Sequence, residues 1–292
     1  MTQQLRASLA LIGSMVLFAA SYTITKVALV DVGPLTLGTV RFLLATVVIA
    51  GILAATRGWQ RPTPRDARTL ALGGLLGVTA YFALENLGVA WSTATDATLL
   101  SAAFPAVIAV TDVLLNKAVI GRRGWFGILL AMVGSVAIVF GGPISDEAGP
   151  KRLWGDLLIL LAAVVWALYT FATREVVTRY SSWTTVLWQD GVGALAFIPL
   201  ALTEARTWRP PSHPVPTISA VLSLTVLCSV LAMVLYALAV RQLSTAVVAA
   251  SINLVPMFGL VIALLVLHEP VGWGQVAGCA VVIGGVWLTH RQ

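Results

Sequence analysis

Long apolar runs of about 20 residues follow one another along the chain, separated by short polar stretches. A run of this length matches an α-helix that crosses a bilayer, because 20 residues at about 1.5 Å each extend about 30 Å. The runs lack the two-residue alternation of a transmembrane β-barrel. We therefore predict an all-α, polytopic membrane protein with ten transmembrane helices, at residues 7–29, 35–56, 69–91, 96–116, 123–142, 154–174, 184–204, 217–240, 245–267 and 271–289.

The composition supports the same class of protein. Only 10% of the 292 residues are charged and 59% are hydrophobic, whereas soluble domains carry about 25% charged residues. A chain with a mean hydropathy of +0.93 cannot keep a globular surface hydrated. The lipid bilayer is therefore its expected surroundings.

Lysine and arginine residues flank the predicted spans unequally. If the N-terminus is cytoplasmic, twelve of them lie on the cytoplasmic side and four on the other, namely Lys151, Arg152, Arg206 and Arg209. The positive-inside rule then places both termini in the cytoplasm of a multi-pass protein of the cell (inner or plasma) membrane. The net charge of +6 is mostly anchoring charge, so no nucleic-acid partner is predicted.

The second half of the chain repeats features of the first half at one offset. The stretch "FPAVIAV" aligns with "VPMFGLV", and Gly127 aligns with Gly278. Because each half has five predicted helices, an odd number, the second copy must enter the membrane upside down. We therefore predict two inverted five-helix repeats, residues 1–145 and 150–292, which is a recurring plan of transporters.

Two aligned prolines, Pro105 and Pro256, lie near the middle of their predicted spans. A proline inside a helix removes one backbone hydrogen bond and clashes with the preceding turn, which produces a kink. The pair is therefore a candidate for two hinges that let the halves rock. The alternative is a pair of static kinks, which are common in membrane helices.

Small residues recur at helical spacing in spans five and ten. They are Gly127, Ala131 and Ser135 in the first of these spans and Gly274 and Gly278 in the second. Such rows permit close approach of two helices. We expect them to pack within one monomer, and a homodimer through helix five or ten is the alternative.

Charged residues inside a membrane are costly, and each is a candidate functional residue. Lys26, Arg41 and Glu85 fall at similar depth in three different spans, so we predict an intramembrane charge network in which Arg41 or Lys26 holds Glu85. A fixed ion pair that only locks helices is the alternative. Asp112 and Asp190 lie nearer the inner interface, and we interpret them as solvated anchors.

Aromatic residues far from the span ends suggest a binding cavity. Trp166 and Tyr169 are three residues apart and share one helix face. Such rings suit planar apolar or cationic solutes, although they can instead pack against neighbouring helices or lipid. The residues predicted to line a central cavity are Tyr22, Tyr81, Glu85, Trp166, Tyr169, Trp188, Ser251 and Asn253.

Several stretches resemble the drug/metabolite transporter superfamily, specifically its EamA-type members. They are "GPLTLGTVRFLLA", "STATDATLLSAAFPAVIAV", "LSTAVVAASINLVPMFGLVIALLVLHEP" and "GQVAGCAVVIGGVWL". The resemblance implies ten helices in two inverted repeats that work by alternating access. It also implies that helices one to four and six to nine surround the cavity, with helices five and ten outside it.

The chain departs from the EamA-type pattern at one position. The glutamate expected at the end of the fourth helix of each half is Glu269 in the second half, but Ala118 stands in its place in the first. Within the superfamily the chain most resembles the YddG-type exporters of aromatic amino acids.

Motifs of enzymes are missing from the chain. No Gly-x-x-x-x-Gly-Lys stretch is present, and the three histidines lie in predicted loops or at span ends. We therefore predict no enzyme, no cofactor and no metal site. The resemblance favours an exporter of small amphipathic solutes, aromatic amino acids first among them. The alternatives are an exporter of another small metabolite or a cationic drug, and a membrane receptor or channel.

Overall fold

The computed structural model describes residues 3–117, 121–142, 151–240, 242–243, 247 and 251–290. Its long helical segments, in chain order, are α1 (Gln3–Ala28), α2 (Pro34–Thr56), α3 (Pro64–Gly73, Gly74–Ala80 and Tyr81–Trp91), α4 (Ala94–Leu100, Ser101–Ala103 and Phe104–Asn116), α5 (Arg122–Gly141), α6 (Arg152–Thr173), α7 (Ser182–Leu202), α8 (Pro214–Ser223, Leu224–Leu231 and Ala232–Val240), α9 (Leu254–Val266) and α10 (Trp273–His290). A single helical turn, Val176–Arg179, connects α6 to α7.

Throughout the described ranges the regular structure is helical, without strands. Eight of the helices are long and apolar enough to cross a membrane, whereas α9 and α10 are shorter apolar helices. Large apolar side chains on α5 are open to the surroundings, with Met132 63% and Phe140 73% exposed, as expected where lipid is the solvent. The predicted all-helical class is confirmed, and the number of ten crossings stays a prediction.

The largest buried apolar cluster lies between the two halves of the chain. It includes Met15 of α1, Leu99 of α4 and Ile159 of α6, each about fully buried. Close approach of α3 and α6 depends on Gly88, because a Cβ atom there would lie 2.6 Å from the Cγ1 atom of Ile159. The core therefore joins helices that are far apart in sequence.

The α5 and α10 helices pack against each other along their glycine rows. A Cβ atom added to Gly134 would lie 2.6 Å from the carbonyl oxygen of Gly278, and one added to Gly274 would lie 2.6 Å from the Cα atom of Gly141. Backbone therefore meets backbone, as the small-residue rows predict for close helix contact. These glycines serve a contact inside one molecule.

Two helices contain π-helical segments at corresponding places in the two halves. They are Gly74–Ala80 in α3 and Leu224–Leu231 in α8. A π-helical turn widens the helix and leaves some backbone groups outside the regular ladder, and such turns are frequent at functional sites. Both segments contribute residues to the wall of the central cavity described below.

The two aligned prolines follow breaks in their helices. Pro105 is the second residue of the segment Phe104–Asn116, directly after the 3-10 turn Ser101–Ala103. Pro256 is the third residue of α9, after turn residues Ile252 and Asn253. A proline fits the first turn of a helix because its missing N–H is not needed there. The break therefore precedes each proline, and their use as hinges stays a prediction.

One end of the bundle, which we call the A end, is where residues 29–33, 92–93, 203–213 and 267–272 connect the helices. A buried polar cluster joins the two halves there. The Asp96 carboxylate of α4 accepts hydrogen bonds from Arg152 of α6, with Nε at 2.7 Å and Nη2 at 3.1 Å, and from Gln275 of α10. The Ser92 hydroxyl contacts the carboxyl groups of both Asp96 and Asp156.

Three carboxylates at the A end cap helices of the opposite half. Glu269 accepts from two backbone N–H groups at the start of α4, at 3.0 and 2.8 Å, and Glu204 does the same at the start of α2, at 3.0 and 2.8 Å. Asp31 accepts from two N–H groups before α8 and from the Thr217 hydroxyl. A helix start has unpaired N–H groups and a positive dipole end, so a carboxylate stabilises it.

Hydrogen bonds to Asp31 also affect its titration. The Thr217 hydroxyl first, and then the backbone N–H of His213, lower the pKa of this carboxyl below its usual range. A lowered pKa in the folded state means that the contribution of Asp31 to stability is complete at neutral pH and is lost as the pH falls through that pKa.

We expect Gly134→Ala to destabilise the protein, because the new Cβ atom would press on the backbone of α10. Overpacking of this kind costs about 1–3 kcal/mol, measured as a lower midpoint of thermal unfolding in detergent micelles. The control is Gly284→Ala on α10, where an added Cβ meets nothing within 4 Å. Equal midpoints for the two variants would contradict the packing of α5 on α10.

We expect Asp96→Asn to lower stability by about 3 kcal/mol, because the buried Asp96 carboxylate loses its charge-assisted hydrogen bonds from Arg152. The matched control is Glu175→Gln, which breaks an ion pair to Arg179 whose two side chains are 76% and 54% exposed. Exposed pairs contribute about 0–1 kcal/mol. Chemical unfolding of both variants in micelles measures the difference, and a loss in Asp96→Asn no larger than in the control would show that the A-end cluster does not hold the halves together.

Candidate functional site

A central cavity lies between the two halves of the chain. Its volume is about 120 Å³, which is room for about four water molecules at the roughly 30 Å³ that each occupies in the liquid. Its wall takes residues from α1 to α4 and from α6 to α9. Among the described residues none of α5 or α10 contributes to it, as the EamA-type resemblance implies.

Aromatic rings from three helices form one wall of the cavity. The ring of Tyr81 on α3 lies 5.0 Å from that of Trp166 on α6 and 6.3 Å from that of Phe104 on α4. Tyr169 continues the wall, with its ring 5.0 Å from Trp166. These spacings are typical of tilted and edge-to-face aromatic pairs. The wall therefore offers ring faces and edges to a flat apolar group.

Arg41 of α2 lies in the cavity wall and is only 2% exposed. Its Nε donates a hydrogen bond to the hydroxyl of Ser229 on α8, at 2.6 Å. Its guanidinium carbon lies 4.7 Å from the ring centre of Phe82 and 5.1 Å from that of Phe42, which are cation–π distances. The Nη1 atom is buried with no hydrogen-bond partner in the described part of the chain.

Two buried carboxyl groups share the cavity wall with Arg41. Glu85 of α3 is 4% exposed and Asp190 of α7 is 3% exposed. Both interact electrostatically with Arg41, yet the ion pairs found across the described ranges do not include either of them. One oxygen of each carboxyl, Oε1 of Glu85 and Oδ2 of Asp190, is buried without a hydrogen-bond partner there.

Glu85 has polar neighbours that Asp190 lacks. The Tyr81 hydroxyl lies near the Glu85 carboxyl group, and Tyr22 in turn lies near Tyr81. Asp190 has Gln189 beside it, but the Gln189 side chain accepts from the Tyr169 hydroxyl at 3.1 Å. The cavity therefore contains one guanidinium group and two carboxyl groups. Each of the three keeps a polar atom without a hydrogen-bond partner among the described residues.

The structure places most of the predicted cavity residues in one wall. Tyr22, Tyr81, Glu85, Trp166 and Tyr169 line the cavity. Among the other predicted positions, Trp188, Ser251 and Asn253 are not among the lining residues.

On α7 the predicted cavity-lining position, Trp188, is wrong by one residue. Its neighbours Gln189 and Asp190 line the cavity instead. Successive residues of an α-helix are about 100° apart around its axis, so a shift of one position moves a side chain off the wall. Near Pro256, Ile252 and Val255 line the cavity in place of the predicted Ser251 and Asn253.

Lys26 makes contacts other than those expected for it. Its ammonium group donates to the backbone carbonyl of Val89, at 3.0 Å, and to that of Ser92. The last carbonyl groups of a helix lack intrahelical partners, and a lysine near them is a common solution. Lys26 therefore caps the end of α3 at the A end, and Arg41 is the member of the predicted network that accompanies Glu85 in the cavity.

Asp190 is a cavity residue that we interpreted from the sequence as a solvated anchor, and its burial corrects that interpretation. The residues on the same helix face as Asp190 could have indicated its burial. Asp190, Gly193, Ala194 and Phe197 follow the spacing i, i+3, i+4, i+7, and all four are buried. A carboxylate in line with small and apolar residues on one face points into the bundle rather than to an interface.

Comparisons with known proteins agree with this architecture. A protein of Archaeoglobus fulgidus named "Uncharacterized transporter" is 28% identical over 96% of this chain and 95% of its own length. A "Probable terminal-alkyne amino-acid exporter" of Streptantibioticus cattleyicolor is 31% identical over 98% of this chain and 94% of its own. A solved structure described only as "Crystal structure of protein" has the same fold, with a TM-score of 0.66, 18% identity and 97% and 96% coverage of the two chains.

The sequence profile described as "EamA-like transporter family" matches twice, at residues 5–140 and 153–291. The two matches together cover most of the chain and coincide with its two halves. The chain therefore belongs to the EamA-like transporter family.

Proposed function

We propose that this protein is a secondary transporter that exports amino acids with aromatic side chains by alternating access. In this proposal ten helices cross the cell membrane as two inverted repeats, and both termini are cytoplasmic. The observation that carries it is the central cavity, in which an arginine and two carboxyl groups lie beside an aromatic wall. Ionisable groups kept inside a membrane mark a solute pathway.

The inverted arrangement is supported by features that recur between the halves. The α3 and α8 helices both contain a π-helical segment, and α4 and α9 both have a break before an aligned proline. A site at the interface of two such repeats suits rocking of one half against the other. The buried contacts around Asp96 and Arg152 join the two halves at the A end, and in this proposal access from that end requires these contacts to separate.

The proposed substrate class follows from the chemistry of the cavity and from one relative. The rings of Tyr81, Trp166 and Tyr169 match a flat apolar side chain, and the charged groups match the polar end of an amino acid. The relative from Streptantibioticus cattleyicolor is named as a probable amino-acid exporter. We extend amino-acid transport from it to this chain as part of the proposal.

An organic cation is the second candidate substrate. With Arg41, Glu85 and Asp190 all ionised, the cavity carries one positive and two negative charges, a net charge of −1. Cation–π contacts with the aromatic wall would add to the attraction. The number of carboxyl groups favours this candidate, and the unpaired Nη1 of Arg41 favours the amino acid.

We expect purified protein in proteoliposomes to catalyse saturable counterflow of labelled tryptophan or phenylalanine. Trp166→Ala should raise the half-saturating concentration about tenfold, because loss of one aromatic contact costs about 1.4 kcal/mol. The control is Trp125→Ala on α5, a tryptophan that is 49% exposed and outside the cavity wall.

Flux that neither saturates nor shows counterflow would identify a channel and overturn the transporter mechanism. Counterflow of organic cations without aromatic amino acids would overturn the substrate. If Trp166→Ala and Trp125→Ala changed the half-saturating concentration equally, Trp166 would not contribute to substrate binding.

The proposed orientation is testable with single cysteines. In a background with Cys228→Ala and Cys279→Ala, we expect a membrane-impermeant maleimide to label Trp208→Cys in intact cells, because Trp208 is 65% exposed in the connection predicted to face outward. The exposed position Arg57→Cys should react only after the membrane is permeabilised. The reverse order of labelling would overturn the orientation.

A further inference from the structure

We propose that the cavity recognises an α-amino carboxylate, with Arg41 binding the carboxylate and Asp190 binding the ammonium group, so that the transported species is a zwitterion. This inference rests on the proposed function in one respect, namely that the solute passes through this cavity. It names two binding residues on helices of opposite halves, α2 and α7.

Arg41 has donors to offer to a ligand. Its Nε is engaged by Ser229, and Phe42 and Phe82 lie over its guanidinium group, so the side chain is held in place. Nη1 remains buried without a partner among the residues described. An unpaired charged donor in an apolar site is costly, and a carboxylate is the group that a guanidinium fork binds best. A bound carboxylate would satisfy what the protein leaves open.

Asp190 is the matching acceptor. Oδ2 of Asp190 is buried without a partner in the described ranges, and Asp190 lines the cavity. An ammonium group carries three donors and no acceptor, so it complements a carboxylate and is repelled by Arg41. Glu85, which also lines the cavity, is a second carboxyl group whose negative charge favours an ammonium group there.

The spacing of the charges favours a ligand with both groups. Arg41 interacts with Asp190 electrostatically but does not form a direct ion pair with it. Two opposite charges that contacted each other would neutralise themselves and leave nothing for a solute. Because both line the same cavity without contacting each other, they complement a molecule that carries both an ammonium and a carboxylate group. The side chain of that molecule would then face Tyr81 and Trp166.

The test compares ligands that lack one charged group with variants that lack its partner. Tryptophan, tryptamine (no carboxylate) and indole-3-propionate (no ammonium group) compete against labelled tryptophan in counterflow and are measured by thermal shift of the purified protein. A second set with an aliphatic side chain is leucine, isoamylamine and 4-methylpentanoate. A charged hydrogen bond contributes about 10- to 100-fold in affinity, so the wild-type protein should prefer each amino acid to both of its analogues by that factor.

The variants should remove one preference each. Arg41→Gln should abolish the preference for tryptophan over tryptamine and keep that over indole-3-propionate, whereas Asp190→Asn should do the opposite. If Arg41→Gln fails to fold, Arg41→Lys keeps the charge but loses the fork, and the preference over tryptamine should fall. The controls, Arg206→Gln and Glu175→Gln, change exposed residues outside the cavity and should keep both preferences.

The outcomes separate this inference from the proposed function. Wild-type protein that binds tryptamine as well as tryptophan, or variants that weaken all three ligands equally, would overturn the zwitterion site. The expected pattern with the leucine set and no binding of the tryptophan set would support the zwitterion site and overturn the aromatic substrate. No binding of either amino acid would overturn both.

Discussion

A charge or backbone group that is buried away from water must find its hydrogen-bond partner within the protein. The A end meets this requirement across the two halves. Glu269 caps α4, Glu204 caps α2, and Asp96 is surrounded by donors from α6 and α10. Because each of these contacts joins residues more than fifty positions apart, the requirement for polar partners also joins the two halves at this end of the bundle.

Polar groups in the central cavity need partners in the same way, but some of them have none among the described residues. Arg41, Glu85 and Asp190 are as deeply buried as Asp96, yet each keeps a polar atom without a partner among the described residues. Unsatisfied polar groups are costly in a site that serves only structure. Oδ2 of Asp156 in the A-end cluster also lacks a partner among the described residues. The candidate binding site differs from that cluster because its unpaired groups line the central cavity beside the aromatic rings. The tightly packed α5–α10 pair stands apart from both.

Part of the site could be read from the chain itself. Glu85 stands out because it is a lone carboxylate in an apolar run, and Trp166 and Tyr169 stand out because their spacing puts them on one helix face. Asp190 was misassigned by its distance from the span end, although the face that it shares with Gly193 and Phe197 points inward. Depth along a helix and direction around it are separate coordinates, and the second decides whether a side chain meets a cavity.

The helical class, the approximate positions of the spans and the glycine rows that pack follow from the order of residues alone, because each depends on runs and periods within one segment. The partners of the polar side chains become visible only in the folded structure. The Arg41 guanidinium donates to the hydroxyl of Ser229, which is 188 positions away, and the Lys26 ammonium group donates to backbone carbonyl groups at the end of α3. Such pairings depend on the rotation and tilt of whole helices against each other, and no local pattern of residues encodes those quantities.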